Sequence, residues 1–234
     1  MIDTHAHLEE ILGDTRGDVG QIILAGANLE TSESNIKLAK KYDFLSPAVG
    51  IHPQENGDDV EKLEKLITKD VIAIGECGLE FMDNYDRDKQ EKCFRKQIEL
   101  AQKYKLPLII HARKAVDEVV EILKEYKNIT GVFHCYAGGI KRIKKINELG
   151  FYFGIDGNLT YEGGLVDVVK NIPKNRLILE TDCPYLTPVP FRGQENKPAY
   201  IKYIYQKVAE IWEMNLSETE KIIDENAKRL FNVV

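Results

Sequence analysis

The sequence lacks any apolar run of the length that a membrane-spanning helix needs. Such a helix takes roughly 18 to 20 consecutive apolar residues, whereas the apolar runs of this chain are as short as β-strands. The chain also does not open with a basic and then greasy leader, because a strand-like pattern starts at Ile2. We therefore expect a cytoplasmic protein that has no membrane partner.

The sequence also lacks a net positive charge and closely spaced cysteine pairs. The formal net charge is −6 and the pI is about 5.5, which argues against broad adhesion to duplex nucleic acid, because such adhesion relies on a basic surface. A nucleic-acid substrate would have to be held by a few local contacts. The four cysteines include no Cys-x-x-Cys pair, which argues against a thiolate zinc knuckle or a redox motif.

Linkers, repeats and low-complexity tracts are absent as well. The 234 residues contain no proline-rich or serine-rich stretch that would mark a second domain, and no obligate protein partner is indicated. Hydrophobic residues make up 43% of the chain and charged residues 30%, which is ordinary for a globular protein. We expect a single domain over residues 1–234, a length that one α/β barrel occupies.

Short apolar runs recur eight times, and segments of helical period separate most of them. Eight parallel strands close a (β/α)8 TIM barrel, so the pattern predicts an α/β fold of that architecture. The predicted strands are residues 2–7, 21–26, 47–51, 71–76, 107–111, 131–135, 151–155 and 177–181.

Both ends of this pattern are irregular. Only about a dozen residues, rich in glycine, separate the first two strands, too few for a regular crossover helix. We therefore expect a shortened first crossover. At the other end, residues 198–231 predict two helices, and Ser217 with Glu220 has the spacing of a capping box.

Histidines and acids stand at the ends of the apolar runs. Five histidines occur in the chain, and four of them close such a run, as do one glutamate and one aspartate. The carboxyl ends of barrel strands are where α/β proteins keep their chemistry. The residues are His5 and His7 on the first strand and Glu76, His111, His134 and Asp182 on strands four, five, six and eight.

This set has the composition of a metal site. His5 and His7 are two residues apart on one strand, so their imidazoles point to the same side, and the other strands converge on the same barrel mouth. Four histidines with two carboxylates suit two cations that share a bridging group, about 3.5–4 Å apart. Any one of these residues alone would be explained as a structural histidine or a helix cap. Together they predict a two-metal hydrolase.

Five stretches carry specific motifs: Asp3–Leu8 (DTHAHL), Gly75–Leu79 (GECGL), Ile110–Arg113 (IHAR), Phe133–Tyr136 (FHCY) and Glu180–Leu186 (ETDCPYL). They resemble the signatures of the TatD family of metal-dependent deoxyribonucleases, which belongs to the amidohydrolase-like, metallo-dependent hydrolase barrels. The resemblance extends to Asn226–Phe231 and so covers nearly the whole chain.

The resemblance implies a role for each ligand. One divalent cation would be held by His5, His7, Glu76 and Asp182, and the second by Glu76, His111 and His134, with Glu76 as the bridge. Asp182 would also orient or deprotonate the attacking water, so the expected catalytic residues are Asp182 and Glu76. The cations would be zinc, manganese, magnesium or nickel. The implied activity is the hydrolysis of phosphodiester bonds in DNA, as a 3′-to-5′ exonuclease on single strands.

Three features depart from the usual pattern of the family. The first crossover is short, Glu80 stands where an aspartate is common, and Asp156 stands where a serine is usual. None of them is a proposed ligand. They bear on substrate preference, because loops at the barrel mouth set what enters.

Other residues of the barrel mouth are candidates for substrate binding. Arg113 and Arg192 offer guanidinium forks that match phosphate, although arginine is usually a solvated or salt-bridged surface residue. Asn196 lies in the same loop as Arg192, and His52 ends the third strand, where it would reach substrate or support the site. Tyrosines that would stack on bases, or simply pack, are Tyr85, Tyr136, Tyr161 and Tyr185.

Two other functions stay open at this point. The same activated water attacks a carbonyl carbon, so the alternative enzyme is an ester or amide hydrolase such as the D-aminoacyl-tRNA deacylase proposed for relatives. The alternative outside catalysis is a metal-binding scaffold without turnover. The intact ligand set weighs against the scaffold, and the expected partner is a DNA substrate.

Overall fold

A computed structural model of the chain describes residues 1–9, 15–55, 59–82 and 86–233. All eight predicted strands are present, and they pair in parallel in the order β1 to β8. The TIM-barrel architecture is therefore confirmed. The strands are β1 (Ile2–Ala6), β2 (Gln21–Leu24), β3 (Leu45–Val49), β4 (Ala73–Glu80), β5 (Leu108–Arg113), β6 (Gly131–Phe133), β7 (Tyr152–Ile155) and β8 (Leu177–Leu179).

Helices lie between most of the strands. Residues 7–9 and 15–20, which are the described part of the first crossover, contain no helix, as the short spacing predicts. The two helices predicted at the C-terminal end are also present. The helices are α1 (Leu29–Ala39), α2 (Val60–Glu64), α3 (Arg87–Tyr104), α4 (Val116–Leu123), α5 (Ile140–Glu148), α6 (Gly163–Asn171), α7 (Ile201–Trp212) and α8 (Leu216–Phe231).

The barrel closes between β8 and β1 through the residues that follow β8. Ala6 forms an isolated parallel bridge with Cys183. The backbone N–H of His7 donates to the Cys183 carbonyl at 2.8 Å, and that of Asp182 donates to the His5 carbonyl at 2.9 Å. This pairing places the Asp182 backbone directly beside His5 of β1 and close to His7, which follows the strand.

Each strand sends one apolar side chain into a buried cluster inside the barrel. Ile2, Ala73 and Tyr152 are the first residues of their strands, so the cluster fills the N-terminal end. Side chains of α8 join it there, which leaves the carboxyl ends of the strands for chemistry. The members are Ile2, Ile23, Ala48, Ala73, Ile109, Val132, Tyr152 and Ile178 from the strands, with Ala227, Leu230 and Phe231 from α8.

The prediction that β4 ends at Glu76 is wrong. The strand continues to Glu80, so Glu76 lies in its middle. Glycine normally weakens a strand, but Gly75 and Gly78 here allow a close approach to β5. Both have positive φ, and a Cβ on Gly78 would lie 2.0 Å from the carbonyl oxygen of His111. The glycines therefore bring Glu76 and His111 together on adjacent strands.

Candidate metal centre

His5 and His7 face a common carboxylate at the seam between β1 and β8. Their Nε2 atoms lie 3.1 Å apart. The Asp182 Oδ1 atom lies 3.5 Å from Nε2 of His5 and 3.4 Å from Nε2 of His7. Asp182 is three residues beyond the end of β8 and has a left-handed backbone with φ of 53°. These three side chains form one side of the centre.

Glu76 lies between this group and a second group of histidines. Its Oε2 atom is 3.4 Å from Nε2 of His5 and 3.7 Å from Nε2 of His7. Its Oε1 atom is 2.8 Å from Nδ1 of His111 and 2.8 Å from Nε2 of His134. The two oxygens of one carboxylate thus serve two different sets of imidazoles. The structure brings all six predicted metal ligands together around Glu76.

His52 belongs to the second group. Its Nε2 atom lies 3.4 Å from Oε1 of Glu76, and its ring centroid is 4.5 Å from that of His111. From the sequence, His52 is a candidate for substrate binding or structural support. Its contact with Glu76 places a further imidazole nitrogen at the centre, and its substrate role stays a prediction.

The two central carboxylates are held in their ionised form. Burial acts to raise the pKa of Glu76, but His134 and His111 outweigh it and hold that pKa well below its ordinary value. Burial likewise acts to raise the pKa of Asp182, but the hydrogen bond from His7 and the neighbouring histidines lower it overall. Two anions surrounded by imidazoles form a set of ligands suited to a cation.

The histidines differ in how strongly they hold a proton. Burial lowers the pKa of His5, and the nearby His134 lowers it further, so His5 presents a neutral imidazole. Burial also acts to lower the pKa of His134, but the carboxylates of Glu76 and Glu180 raise it well above its ordinary value. A proton on His134 therefore balances part of the carboxylate charge and has to leave before this side chain binds a metal.

The donor set fits divalent cations. Imidazole and carboxylate ligands together suit zinc, manganese and nickel, whereas magnesium prefers oxygen ligands alone. Within each of three overlapping groups the donor atoms lie no more than 4.8 Å apart, and Glu76 belongs to two of them. The groups are His5, His134 and Asp182; His5, His7 and Glu76; and His52, Glu76 and His111.

Two buried acids lie behind the histidines and are not among the predicted site residues. The Glu80 Oε2 atom is 3.1 Å from Nε2 of His111, and the Glu180 Oε1 atom is 3.4 Å from Nδ1 of His134. Both side chains are only 1% exposed. The sequence does indicate that both acids are near the centre, since each lies within a few residues of a proposed ligand. Spacing alone does not tell which histidine ring each acid contacts.

The two arginines predicted to bind phosphate lie in different surroundings. The Arg113 side chain is 61% exposed, and its guanidinium is 3.9 Å from the Glu80 carboxylate. The Arg192 guanidinium lies over the ring of Tyr161, 4.0 Å from its centroid. Neither is enclosed in a buried ion pair, so phosphate binding by both stays a prediction.

Asn196 has a structural environment. The side chain is buried, and its amide group donates to the backbone carbonyls of Thr181 at 2.8 Å and Tyr185 at 2.6 Å. Its oxygen accepts a hydrogen bond from the backbone of Lys197 at 2.9 Å. The amide therefore braces the loop after β8, and direct substrate binding by Asn196 is an untested prediction.

Among the candidate tyrosines that the structure describes, Tyr185 is the one exposed beside the histidines. It is 62% exposed, and its ring centroid is 6.4 Å from that of His7. Tyr136 is buried and donates its hydroxyl hydrogen to a backbone carbonyl at 2.8 Å, while Tyr161 is covered by an arginine. Tyr85 lies outside the described residues.

Comparison with known proteins identifies the family. Residues 2–232 match the model of the family described as TatD related DNase. The chain belongs to the TatD family. The uncharacterised metal-dependent hydrolase YabD of Bacillus subtilis (strain 168) is 38% identical over an alignment 253 residues long. The alignment covers 100% of this chain and 99% of YabD.

Solved structures of other TatD proteins have the same fold. YJJV, a TatD homologue from Escherichia coli K12, aligns with a TM-score of 0.87 at 26% identity, over 100% of this chain and 98% of its own. A TatD family hydrolase from Entamoeba histolytica aligns with a TM-score of 0.88 at 26% identity, over 98% and 97%. This TatD protein is accordingly a metal-dependent hydrolase, and the histidine and carboxylate clusters described above supply suitable ligands.

The helices of this TatD protein are short or amphipathic. Among the residues that the structure describes, no helix combines the length and the apolar character needed to cross a bilayer.

Proposed function

We propose that this TatD-family protein hydrolyses phosphodiester bonds of DNA, removing nucleotides from the 3′ end of single strands with two divalent cations. The observation that carries the proposal is the position of Glu76, whose Oε2 atom faces His5 and whose Oε1 atom faces His111 and His134. A carboxylate shared in this way suits a pair of cations, and two-metal centres are well suited to displacement at phosphorus. The family description as TatD related DNase supports DNA as the substrate.

The side chains of the centre have different proposed roles in the reaction. When bound, the divalent cations would lower the pKa of water and stabilise negative charge on the phosphoryl oxygens. His5, His7, His111 and His134 would hold them, with Glu76 between the two positions. Glu76 would thereby fix the spacing between the attacking oxygen and the phosphorus.

Asp182 is the proposed proton acceptor. Its Oδ1 atom lies within 3.5 Å of the Nε2 atoms of both His5 and His7, so the carboxylate would be next to a cation held by these two histidines. Asp182 takes a proton from the attacking water as the new bond to phosphorus forms. The bond from phosphorus to the departing sugar oxygen then breaks, and that oxygen gains a proton from solvent.

The surroundings of the centre favour an end or a single strand. The net charge of −6 provides no broad basic surface for duplex DNA. Arg113 and Arg192 offer local contacts to phosphate, and the exposed ring of Tyr185 beside His7 offers a face on which a base can stack. These few contacts select a flexible strand that bends into the barrel mouth.

The proposal is tested with single-stranded DNA oligonucleotides labelled at either the 3′ or the 5′ end. Metal-free protein is reloaded with manganese, zinc, nickel or magnesium, and the native protein is compared with the Glu76→Ala variant. We expect a ladder of shortened products from the 5′-labelled strand and immediate release of the 3′ label, with both lost in the variant.

The alternative enzyme gives a different result in the same assay. Intact DNA under every metal, together with release of amino acid from D-aminoacyl-tRNA, would replace the nuclease by an acyl hydrolase. Unchanged products from the Glu76→Ala variant would contradict the assigned centre.

A further inference from the structure

Glu80 is a buried carboxylate that the proposed reaction does not use. It is the last residue of β4, it is 1% exposed, and it lies on the far side of His111 from Glu76. A buried charge is costly unless hydrogen bonds or an opposite charge compensate it. Its partners therefore indicate what it does.

The position of Glu80 is fixed by hydrogen bonds to Gln90 of α3 and to the backbone of Met82. The Gln90 side chain accepts from the Glu80 backbone N–H at 2.9 Å and donates to the Glu80 carbonyl at 3.1 Å. The Oε1 atom of Glu80 accepts from the backbone N–H of Met82 at 2.7 Å. Only Oε2 is left to face the centre, where it lies 3.1 Å from Nε2 of His111.

The two nitrogens of His111 therefore face two different carboxylates. Nδ1 lies 2.8 Å from Oε1 of Glu76, and Nε2 lies 3.1 Å from Oε2 of Glu80. An ionised carboxylate only accepts hydrogen bonds, so the nitrogen that faces Glu80 has to carry a hydrogen. Without a cation the same holds for Nδ1, which faces Glu76. When a cation takes up the Nδ1 lone pair, the one hydrogen of the neutral imidazole is on Nε2.

We propose that Glu80 is a positioning residue that fixes His111 as its Nε2–H tautomer and aims the Nδ1 lone pair at the metal centre. A carboxylate that accepts from the outer nitrogen of a ligating histidine sets both the ring orientation and the tautomer. This inference rests on the metal-binding part of the proposed function. It does not depend on DNA being the substrate.

Glu180 lies behind His134 as Glu80 lies behind His111, but its contact with the imidazole nitrogen is longer. Its Oε1 atom already accepts from the backbone N–H of Cys135 at 2.5 Å, and the same atom is 3.4 Å from Nδ1 of His134. That His134 nitrogen has no well-formed hydrogen bond among the described residues. Glu80, with one oxygen devoted to His111, is the acid whose geometry defines a tautomer.

The variant that tests this role is Glu80→Gln, which keeps the shape but offers one oxygen and one NH₂ group. If the oxygen keeps its bond to the Met82 backbone, the NH₂ group faces Nε2 of His111 and favours the Nδ1–H tautomer. That tautomer has no lone pair to offer on the side of Glu76. The matched control is Glu55→Gln, which removes a charge from a side chain that accepts a hydrogen bond from Asn28 and contacts no imidazole nitrogen in the described part of the chain.

The tautomer is read from long-range ¹H–¹⁵N spectra of the imidazole rings, which are tractable because the chain has only five histidines. A His111→Gln variant assigns the His111 signals. We expect zinc-loaded wild-type protein to show His111 as Nε2–H. A zinc-loaded wild-type His111 that carries its hydrogen on Nδ1 overturns the proposal, and this readout does not depend on whether Glu80→Gln folds.

Zinc affinity, measured by competition with a chelator, provides the second readout. We expect Glu80→Gln to weaken zinc binding by about 10- to 100-fold, the usual cost of losing such an outer partner, and Glu55→Gln to bind as the wild type does. A purely structural role for Glu80 would lower the unfolding temperature alone. Wild-type zinc affinity and an unchanged His111 tautomer in a folded Glu80→Gln protein overturn the inference. Loss of DNA cleavage plays no part in this test.

Discussion

Glu76 is the residue that contacts both groups of histidines in the proposed metal centre. Its two oxygens contact histidines from β1 on one side and from β5 and the end of β6 on the other. Removing His7 would take away one ligand from one side, whereas removing Glu76 takes away a shared ligand. The centre is therefore organised around a single side chain in the middle of a strand.

The ring of Tyr185 is an exposed aromatic surface beside His7. We expect Tyr185→Ala to raise the KM for single-stranded DNA with a smaller effect on kcat, because a stacked base contributes about 1–3 kcal/mol, or about 5- to 150-fold, to binding. Tyr185→Phe keeps the ring and should retain the wild-type KM. Steady-state kinetics on one oligonucleotide tests this, and equal KM values for all three proteins would rule out stacking at Tyr185.

The sequence predicts the members of the centre better than their mutual contacts. All six predicted ligands converge because barrel strands share one mouth, and that follows from where His5, His111 and the others fall in the apolar pattern. The contact of Glu80 with His111 does not follow in the same way. It depends on the register between β4 and β5 and on side-chain rotamers, neither of which a one-dimensional pattern contains.

At the scale of elements, the loop after β8 is held by the buried amide of Asn196. We expect Asn196→Ala to lower the free energy of unfolding by about 1–3 kcal/mol, because the buried Thr181 carbonyl and the part-buried backbone groups of Tyr185 and Lys197 lose their partner. Chemical denaturation measures this, with the exposed Glu195→Ala as the control. A variant of normal stability with a raised KM for DNA would instead support the substrate-binding role predicted from the sequence.

The start of α8 differs from the sequence-based prediction. Ser217 with Glu220 has the spacing of a capping box, but the N-cap is Asn215, whose side chain accepts from the backbone N–H of Glu218 at 2.8 Å. The prediction is wrong because Asn215 and Ser217 both have side chains that can cap a helix and lie within one turn. The spacing from Ser217 to Glu220 favours Ser217, which is not the cap. The structure selects the earlier residue, so the helix begins two residues earlier, about half a turn.

Substitutions of Asn215 and Ser217 should have different effects on the stability of the protein. Asn215→Ala should destabilise the protein by about 1 kcal/mol, the usual cost of losing an N-cap. Ser217→Ala should have almost no effect, because Ser217 is exposed and lies inside the first turn. Thermal unfolding of the two variants distinguishes the caps, and a larger loss for Ser217→Ala would contradict the assignment of Asn215.

The strand ends show why element bounds are harder to predict than elements. The apolar run 71–76 correctly marks β4, but the strand extends to Glu80 because Gly75 and Gly78 permit contact with β5. In contrast, β8 ends at Leu179, and Asp182 reaches β1 from the residues beyond it. Tertiary pairing decides both cases, and the local pattern does not encode it.

At the scale of the whole molecule, the two ends of the barrel differ: one is packed with apolar side chains, and the other holds the candidate metal ligands. Its N-terminal end is filled by an apolar cluster that includes Leu230 and Phe231 of α8, and its carboxyl end holds the histidines and acids. The acids at the carboxyl end repel one another unless a proton or a cation compensates them. Metal binding should therefore stabilise the folded barrel.

Zinc or manganese should raise the unfolding temperature of metal-free protein. A ligand that binds only the folded state adds about 2.7 kcal/mol of stability at 100 times its dissociation constant. The shift should be much smaller in Glu76→Ala, and Glu195→Ala should shift as the wild type does. Differential scanning fluorimetry over a range of metal concentrations measures it, and equal shifts in Glu76→Ala and wild type would place the binding elsewhere.

The central claim is that Glu76 lies between two cations. The most direct measurement is crystallography of the manganese-loaded protein with anomalous scattering recorded at an energy where manganese contributes strongly. We expect two anomalous peaks about 3.5–4 Å apart, one beside His5 and His7 and the other beside His111 and His134, with Glu76 contacting both. A single peak, or two peaks of which neither is in contact with Glu76, would contradict it.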